Sequence, residues 1–315
     1  METSRLQENL RRATTTKESM MARLSMNVTT TFYGNVYDDV RFAKEAGFDG
    51  IEMQSPKLYR FLDQGYTAQD AAEILDGFPV SGLGAIQAIT RRTEEDRAEY
   101  LKEVERMCQI AQVIGAPAVQ MCTDPVDWNV VMDYNAGKLA ADDPRWRGPL
   151  GLSEQEAIDV TAHNVQLACD IAKQYGLGIY LEPLCWAPIS RCSQLLQIVD
   201  KVNRDNFGIT VDTWHFWTAG DTLEDVAKIP PEIITAVHVS DGLEIDRGRE
   251  VPNQDVHRNV VNGGGCIPLQ EWIDAIKATG YDGWYCSEMF SDRANEHEMG
   301  MVAQTMKNLL TIMIK

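Results

Sequence analysis

Eight short apolar runs alternate with longer segments of helical periodicity, and this repeat constrains the fold more than any other feature. The runs are rich in β-branched residues, and the segments between them end in glycine, as in 36–47 and 269–280. Glycine suits the left-handed position that closes a helix. Strands that alternate with helices predict a parallel sheet. The predicted strands are 26–30, 50–54, 80–87, 118–122, 178–184, 207–215, 236–241 and 283–290.

The number of repeats decides between two parallel-sheet architectures. A length of 315 residues fits two domains or one barrel, but no linker-like stretch divides the chain. A doubly wound sheet usually has fewer units and often a glycine-rich phosphate turn, whereas no GxGxxG or GxxxxGK[ST] follows a strand here. We therefore predict a single α/β domain, a (β/α)8 barrel over residues 25–315, preceded by a short helical extension over residues 1–24.

Composition excludes several classes of partner. The chain has 47 acidic and 29 basic side chains, a formal net charge of -18, which disfavours binding to nucleic acid or to anionic lipid. Its seven cysteines are scattered without a CxxC pair, so we expect reduced thiols. The first 24 residues carry charges throughout and no apolar stretch, which argues against a signal peptide or a membrane span. We expect a cytoplasmic protein.

Side chains that commonly bind metals stand at four successive strand ends. They are Glu182, Asp212, His238 and Glu288. In a barrel, the carboxyl ends of the strands meet on the face that carries the active site. Three neighbouring carboxylates would repel one another unless a cation lay between them. Oxygen ligands with one imidazole suit a divalent ion, so we expect Mn²⁺, with Mg²⁺ and Co²⁺ as alternatives.

Other candidate residues surround this face. His215 follows Asp212 by three residues and is expected to face the same cavity, where it would contact substrate. The side chains of Trp128, Trp186 and Trp214 fall at or after strand ends. Indole rings in a cavity mouth offer flat platforms for sugars or aromatic groups, although packing within a loop is the alternative.

Two connections are unusually long for a barrel. They cover residues 123–152 and 242–267, and loops of this length in compact domains are often lids or binding elements. Arg247 lies in the second loop, where it would bind a substrate anion or offset the acidic field. His257 lies in the same loop and has no role that the sequence assigns.

Several segments together resemble one family. The resemblance extends from about residue 25 to the end of the chain, and its most specific part is the ordered set of four candidate ligands. The segments are GFDGIEM at 47–53, YLEPL at 180–184, VDTWH at 211–215, HVSD at 238–241, NGGGCIPLQEW at 262–272 and SEMF at 287–290. Together they are similar to the xylose isomerase-like barrel superfamily, the group of sugar phosphate isomerases and epimerases.

The resemblance implies roles for individual residues. In ketose 3-epimerases of this superfamily, a Glu, Asp, His, Glu set holds the metal, and the two glutamates act as paired acid and base. Glu182 and Glu288 would therefore flank the substrate carbon, and His215 would contact substrate. Those enzymes also carry an arginine six residues after the ligand histidine. This chain has Glu244 at that position, and arginine first appears at Arg247.

The resemblance also separates this chain from two relatives. Endonuclease IV needs extra histidines on the third and fourth strands, whereas Gln87 and Gln120 stand near those strand ends here. Together with the negative charge, this disfavours DNA repair, and we expect both glutamines to line the substrate site. The chain also lacks the carboxylate-only two-metal arrangement expected of xylose isomerase itself.

The implied function is that of a divalent-metal-dependent isomerase or epimerase of a ketose or keto-cyclitol. A metal-stabilised enediolate would form when one glutamate removes the proton next to the carbonyl. The same enediolate can expel a group at the β position. The alternative is therefore a lyase, similar to inosose or 3-dehydroshikimate dehydratase or to the catalytic subunit of a 3-keto-C-glycoside deglycosidase. Expected partners are a small sugar-derived substrate and a second copy or an accessory subunit.

Overall fold

Eight parallel strands form a closed barrel in the computed structural model, which describes residues 22–140, 143, 145 and 148–315. Each strand pairs with the next in chain order, and the eighth pairs with the first. The predicted (β/α)8 fold is therefore confirmed. The strands are β1 Arg23–Asn27, β2 Gly50–Gln54, β3 Val80–Ile86, β4 Ala118–Cys122, β5 Gly178–Glu182, β6 Phe207–Asp212, β7 Ile234–Val239 and β8 Trp284–Ser287.

Helices connect the strands around the outside of the barrel. Glycines close to the ends of four of them have left-handed φ angles between 72° and 94°, which confirms the prediction made for Gly47 and Gly280 and extends it to Gly115 and Gly176. The described helices are α1 Val36–Ala46, α2 Ser55–Asp63, α3 Ala68–Leu75, α4 Glu94–Ile114, α5 Trp128–Asn135, α6 Glu154–Gln174, α7 Cys192–Val202, α8 Thr213–Ala219, α9 Leu223–Ala227, α10 Gln254–His257, α11 Leu269–Ala278, α12 Asp292–Asn295 and α13 Met299–Ile314.

The inside of the barrel carries polar side chains that bond to one another across it. Tyr180 on β5 donates its hydroxyl proton to Glu52 Oε1 on β2 at 2.8 Å. The hydroxyls of Ser25 on β1 and Ser81 on β3 lie 2.6 Å apart. These groups are buried, and buried polar groups are stable only when they are hydrogen-bonded. The barrel interior therefore fixes the positions of side chains as well as excluding water.

Among the predicted strand limits that differ from the structure, two do so for a shared physical reason. Strand β1 ends at Asn27 and β6 ends at Asp212, although extended structure was predicted to continue to residues 30 and 215. The Asn27 side chain accepts a hydrogen bond from Thr29 N, and Asp212 accepts one from His215 N. Each side chain therefore caps a helical turn directly after its strand.

The start of the barrel also differs from the prediction. Strand β1 begins at Arg23, three residues before the predicted strand and within the segment assigned to the helical extension. Residues 1–21 lie outside the described part of the chain. Both long loops contain a short helix, α5 in the first and α10 in the second. Within the described residues, no helix has both the length and the apolar character needed to cross a membrane.

Candidate metal centre

Four side chains from neighbouring strands meet at the carboxyl end of the barrel. Glu182 and Asp212 are the last residues of β5 and β6, His238 lies in β7, and Glu288 directly follows β8. Asp212 and His238 are register partners in the sheet. Because all the strands run in the same direction, their ends present these groups on one face.

The four side chains form a compact and buried cluster. One ligand atom from each lies within 4.8 Å of all the others. His238 Nδ1 is 2.9 Å from Glu182 Oε1, 3.2 Å from Glu288 Oε2 and 4.0 Å from Asp212 Oδ2. None of the four residues is more than 5% exposed. The structure thus brings together the residues that the sequence nominated as metal ligands.

The unpaired atoms of this cluster fit a divalent cation. Glu182 Oε1 and both ring nitrogens of His238 are buried, and although each ring nitrogen lies within 3.2 Å of a carboxylate oxygen, none of the three atoms makes a well-directed hydrogen bond with the described residues. Such atoms are costly in a protein interior unless an ion or another group completes them. Three carboxylates and one imidazole form a donor set that suits Mn²⁺, Mg²⁺, Co²⁺ or Zn²⁺. A metal held here would retain open positions for substrate oxygens.

A buried arginine, Arg258, reaches into the cluster from the second long loop. Its Nη2 donates to Asp212 Oδ2 at 2.8 Å and to Glu288 Oε2 at 2.6 Å. Its Nε donates to the hydroxyl of Ser240 at 2.9 Å. Arg258 is only 2% exposed. Charge-assisted bonds of this kind fix both carboxylates in position.

Aromatic rings hold the guanidinium of Arg258 in place. Its central carbon lies 4.8 Å from the ring centroid of Trp214 and 4.5 Å from that of Phe290. Arginine favours such contacts with ring faces. The sequence prediction did not find this role, because Arg258 lies in an irregular loop, where no periodicity indicates which side chain turns inward.

Burial and neighbouring charges separate the proton affinities of the carboxylates. Burial raises the pKa of Glu182, and it raises the pKa of Asp212 well above its usual range. Burial would also raise the pKa of Glu288, but the charges of Arg258 and His238 outweigh it and hold that pKa well below normal. Two carboxylates that differ in this way suit paired acid and base roles.

Glu52 supports His238 from behind and was not predicted as a site residue. Its Oε2 lies 2.9 Å from His238 Nε2 and accepts a hydrogen bond from Asn27 Nδ2 at 2.8 Å. The hydroxyl of Tyr180 bonds to its other oxygen. A carboxylate at the outer nitrogen of a ligand histidine fixes the ring and directs the other nitrogen toward the metal. The only signal in the sequence was an acidic residue inside an apolar strand.

His215 lies beside the cluster in the first turn of α8. Its Nδ1 accepts a hydrogen bond from Cys185 N at 3.1 Å, so the proton of the neutral ring is on Nε2. Burial lowers the pKa of His215 well below normal and keeps the ring neutral. Its Nε2 lies 3.4 Å from Arg258 Nη1. Two donors thus face one another, and an oxygen placed between them would accept from both.

Three of the predicted substrate residues lie close to the cluster or to His215. Gln120 donates to Glu182 Oε2 at 3.1 Å. The ring of Trp186 meets His215 edge-on with centroids 5.4 Å apart, and the ring of Trp214 lies 4.8 Å from it. Both indoles are buried, at 5% and 0% exposure. These tryptophans pack behind His215 and do not present the open platforms that the sequence analysis predicted.

The other three predicted substrate residues occupy different surroundings. Gln87 is exposed, and Trp128 is half-buried at the start of α5. Arg247 donates to the backbone oxygens of Trp217 and Asp221 at 2.6 and 2.7 Å. Its guanidinium therefore holds the end of α8, and the arginine that contacts the predicted ligands is Arg258 instead.

Comparison with known proteins agrees with this geometry. The family model for the xylose isomerase-like TIM barrel matches residues 40–310. The chain is similar to inosose isomerase of Bacillus licheniformis, with 26% identity over 280 residues, covering 85% of this chain and 89% of that protein. It is also similar to L-ribulose-5-phosphate 3-epimerase of Salmonella typhi, with 23% identity, covering 81% and 82%.

Two further relatives extend the comparison. The 3-dehydroshikimate dehydratase of Pseudomonas aeruginosa is 23% identical over 84% of this chain, which covers 37% of that longer protein. A solved structure of the IolI protein with a bound zinc atom superimposes with a TM-score of 0.78 at 22% identity, covering 93% of this chain and 98% of the other. The chain is an enzyme that belongs to the xylose isomerase-like TIM-barrel family.

Proposed function

We propose that the protein is a divalent-metal-dependent isomerase or epimerase of a ketose or keto-cyclitol. The observation that carries this proposal is the buried cluster in which Glu182 and Glu288 approach the same imidazole nitrogen of His238. Two carboxylates that flank a substrate carbon, as the family resemblance implies for this pair, can take a proton from one face of that carbon and return it from the other. The similarity to an inosose isomerase and to a sugar epimerase supports this chemistry.

The proposed metal ligands are Glu182, Asp212, His238 and Glu288. A bound divalent cation would supply Lewis acidity, which makes the proton beside a substrate carbonyl easier to remove. We favour Mn²⁺ for the three carboxylate ligands, with Zn²⁺ as the rival because a related structure holds zinc. Arg258 is one cation beside three carboxylates, and a divalent cation would offset the repulsion among these carboxylates when all three are ionised.

The residues of the chain have separate tasks in this proposal. Glu288, with its lowered pKa, is ionised and removes the proton beside the carbonyl, and Glu182 supplies a proton to the other face. The Nε2 proton of His215 and the Nη1 protons of Arg258 bind a substrate oxygen between them. Burial of the whole cluster excludes water and protects the enediolate from side reactions.

The similarity to 3-dehydroshikimate dehydratase supports a lyase as a second candidate. Both functions begin with removal of the same proton. They diverge afterwards, because a lyase expels a hydroxyl or a larger group at the β position and does not return the proton to carbon. The residues assigned above therefore keep their roles in the first step of either reaction.

Isotope exchange separates the two candidates in one experiment. The protein is incubated in D₂O with Mn²⁺ and a panel of inososes, ketoses and 3-keto glycosides, and the products are analysed by mass spectrometry. An isomerase or epimerase gives an isomeric product with deuterium next to the carbonyl, whereas a lyase gives a product that has lost water or an aglycone. Activity that persists unchanged with EDTA would refute the metal-dependent proposal.

A further inference from the structure

A second cavity opens beside the candidate metal centre on the same face of the barrel. It has a volume of about 420 Å³ and lies between the turn after β1 and the segment after β8. We call it the outer pocket, and its lining includes Phe32, Phe290, Asp255, Asn259, Asp292 and Asn295. Its size falls within the range of small-molecule sites in proteins.

The outer pocket shares a wall with the metal centre. One face of the Phe290 ring contacts the guanidinium of Arg258, and the same residue lines the pocket. Phe290 follows Glu288 by two residues, and Asn259 directly follows Arg258. In each of these two short segments, one residue lies in the metal centre, and the residue one or two positions later lines the outer pocket. A molecule that extends past Phe290 from the metal centre would enter this pocket.

The lining of the outer pocket indicates the chemistry of its ligand. Phe32 is 47% exposed, although its ring meets that of Tyr33 edge-on, and Phe290 supplies a second ring. Carboxylates and amides also line the pocket, and none of the described lining residues is basic. Acidic side chains repel phosphate and carboxylate groups. Aromatic faces combined with neutral and acidic hydrogen-bonding groups suit an uncharged sugar ring.

From these contacts we infer that the outer pocket binds an uncharged sugar ring attached to the ring that reacts at the metal centre. This inference rests on the proposed function and defines its substrate class as a glycoside or disaccharide that carries a keto group. It disfavours free and phosphorylated monosaccharides as the preferred substrates. Phe32 and Phe290 hold the second ring, and Phe290 also keeps Arg258 against the ligand carboxylates.

Binding to the outer pocket can be measured without turnover. Saturation-transfer NMR is recorded with methyl β-D-glucopyranoside on the EDTA-treated protein and on two variants. Phe32→Ala removes a ring that lines the pocket, whereas Tyr37→Ala removes a ring on α1 that is 61% exposed and lies outside it. We expect affinity to fall about fivefold in Phe32→Ala, and to stay unchanged in Tyr37→Ala. Absence of binding in the wild type, or equal binding in both variants, overturns the inference.

Two further arms test the class of ligand and the link to catalysis. Glucose 6-phosphate should bind more weakly than the neutral glucoside, and equal or tighter binding overturns the uncharged class. Deuterium exchange is then compared on a keto sugar with and without a glycosidic second ring. Phe32→Ala should slow exchange only for the two-ring compound, and equal slowing of both refutes the assignment. Absence of exchange on every compound would refute the metal-dependent function instead, since glucoside binding is measured with EDTA.

Discussion

Two clusters of buried charge differ in how completely their polar atoms are satisfied by hydrogen bonds. In the first, Lys57 Nζ donates to the backbone oxygens of Val28 and Thr31 at 2.9 and 2.7 Å and pairs with Asp39 Oδ1 at 2.9 Å. Its three protons therefore each have an acceptor. In the candidate metal centre, three carboxylates stand beside Arg258, and buried atoms of Glu182 and His238 lack well-directed hydrogen bonds among the described residues.

The comparison separates a structural ion pair from a site that a ligand completes. The Lys57–Asp39 pair ties α2 and α1 to the turn after β1, which leads to Phe32. Its burial is costly, since desolvation raises the pKa of Asp39 to about 6 and lowers that of Lys57. Each proton of the Lys57 ammonium group nevertheless has an acceptor, so an added ion would only disrupt the pair. The metal centre has the opposite character, because a cation would reduce its repulsion.

The largest expected effect is a loss of catalysis, and only substitutions in the metal centre should cause it. Glu288→Gln removes an acid–base group and a metal ligand, so deuterium exchange with Mn²⁺ should fall by roughly 10²–10⁴-fold. The melting temperature should stay near that of the wild type, because the change also removes one of several repelling charges. Glu296→Gln alters an exposed acid nearby and serves as the control. Equal exchange rates in both variants would contradict the assignment of Glu288.

Substitution of the Lys57–Asp39 pair should give the reverse pattern, a loss of stability without a loss of metal binding. Lys57→Met leaves Asp39 buried without its cation, so the free energy of unfolding in urea should fall by about 3–5 kcal/mol. Manganese affinity of the folded protein should not change. Removing both charges in Lys57→Met/Asp39→Asn should restore most of the lost stability. Lys228→Met, at an exposed ion pair, should leave stability nearly unchanged. If Lys57→Met is as stable as the wild type, the pair has no structural role.

A buried carboxylate outside both clusters, Asp124, shows how burial alone makes stability depend on pH. Asp124 accepts a hydrogen bond from Thr90 N at 2.6 Å, and burial raises its pKa from 3.8 to about 6. The folded state therefore holds the proton more tightly than the unfolded chain. Its contribution to stability is fully present below about pH 4 and is lost as pH rises through about 6, a change of ~3 kcal/mol.

The variant Asp124→Asn should lack this pH dependence. Urea unfolding of the wild type and the variant between about pH 4 and 7 measures the difference, which should widen in favour of the variant as pH rises. Asp282→Asn changes an exposed aspartate and provides the control. Parallel stability curves for wild type and Asp124→Asn would show that Asp124 does not titrate in this range.

The sequence predicted the part of the candidate metal centre that the strands determine. Glu182 and Asp212 end their strands, and Glu288 follows its strand directly, so strand periodicity alone indicates that they meet at one face. Arg258 could not be found in this way, because its position depends on how a 26-residue loop folds back between 242 and 267. Trp214 was expected at an open mouth, but the helical turn capped by Asp212 places it inside.

Glu52 is a residue of the site that strand periodicity does not indicate, and its substitution should have the smallest effect. Glu52 was not a predicted ligand and lies far from the predicted ligands in sequence. Its contact with His238 arises only because the barrel closes. Glu52→Gln places an amide where a carboxylate faces Nε2, so the ring loses the partner that fixes its tautomer. Metal affinity, measured by competition with a chromophoric chelator, should fall about 10–100-fold.

A milder substitution tests the same contact and should have a smaller effect on metal affinity. Tyr180→Phe removes the hydrogen bond to the other Glu52 oxygen and leaves the carboxylate charge in place, so its metal affinity should lie between those of Glu52→Gln and the wild type. Such an order would show that the polar interior of the barrel, and not only its rim, determines how tightly a cation binds. Equal metal affinity in all three proteins would mean that strand β7 alone positions His238. The contact with Glu52 would then have a purely structural role, as the Lys57–Asp39 pair has.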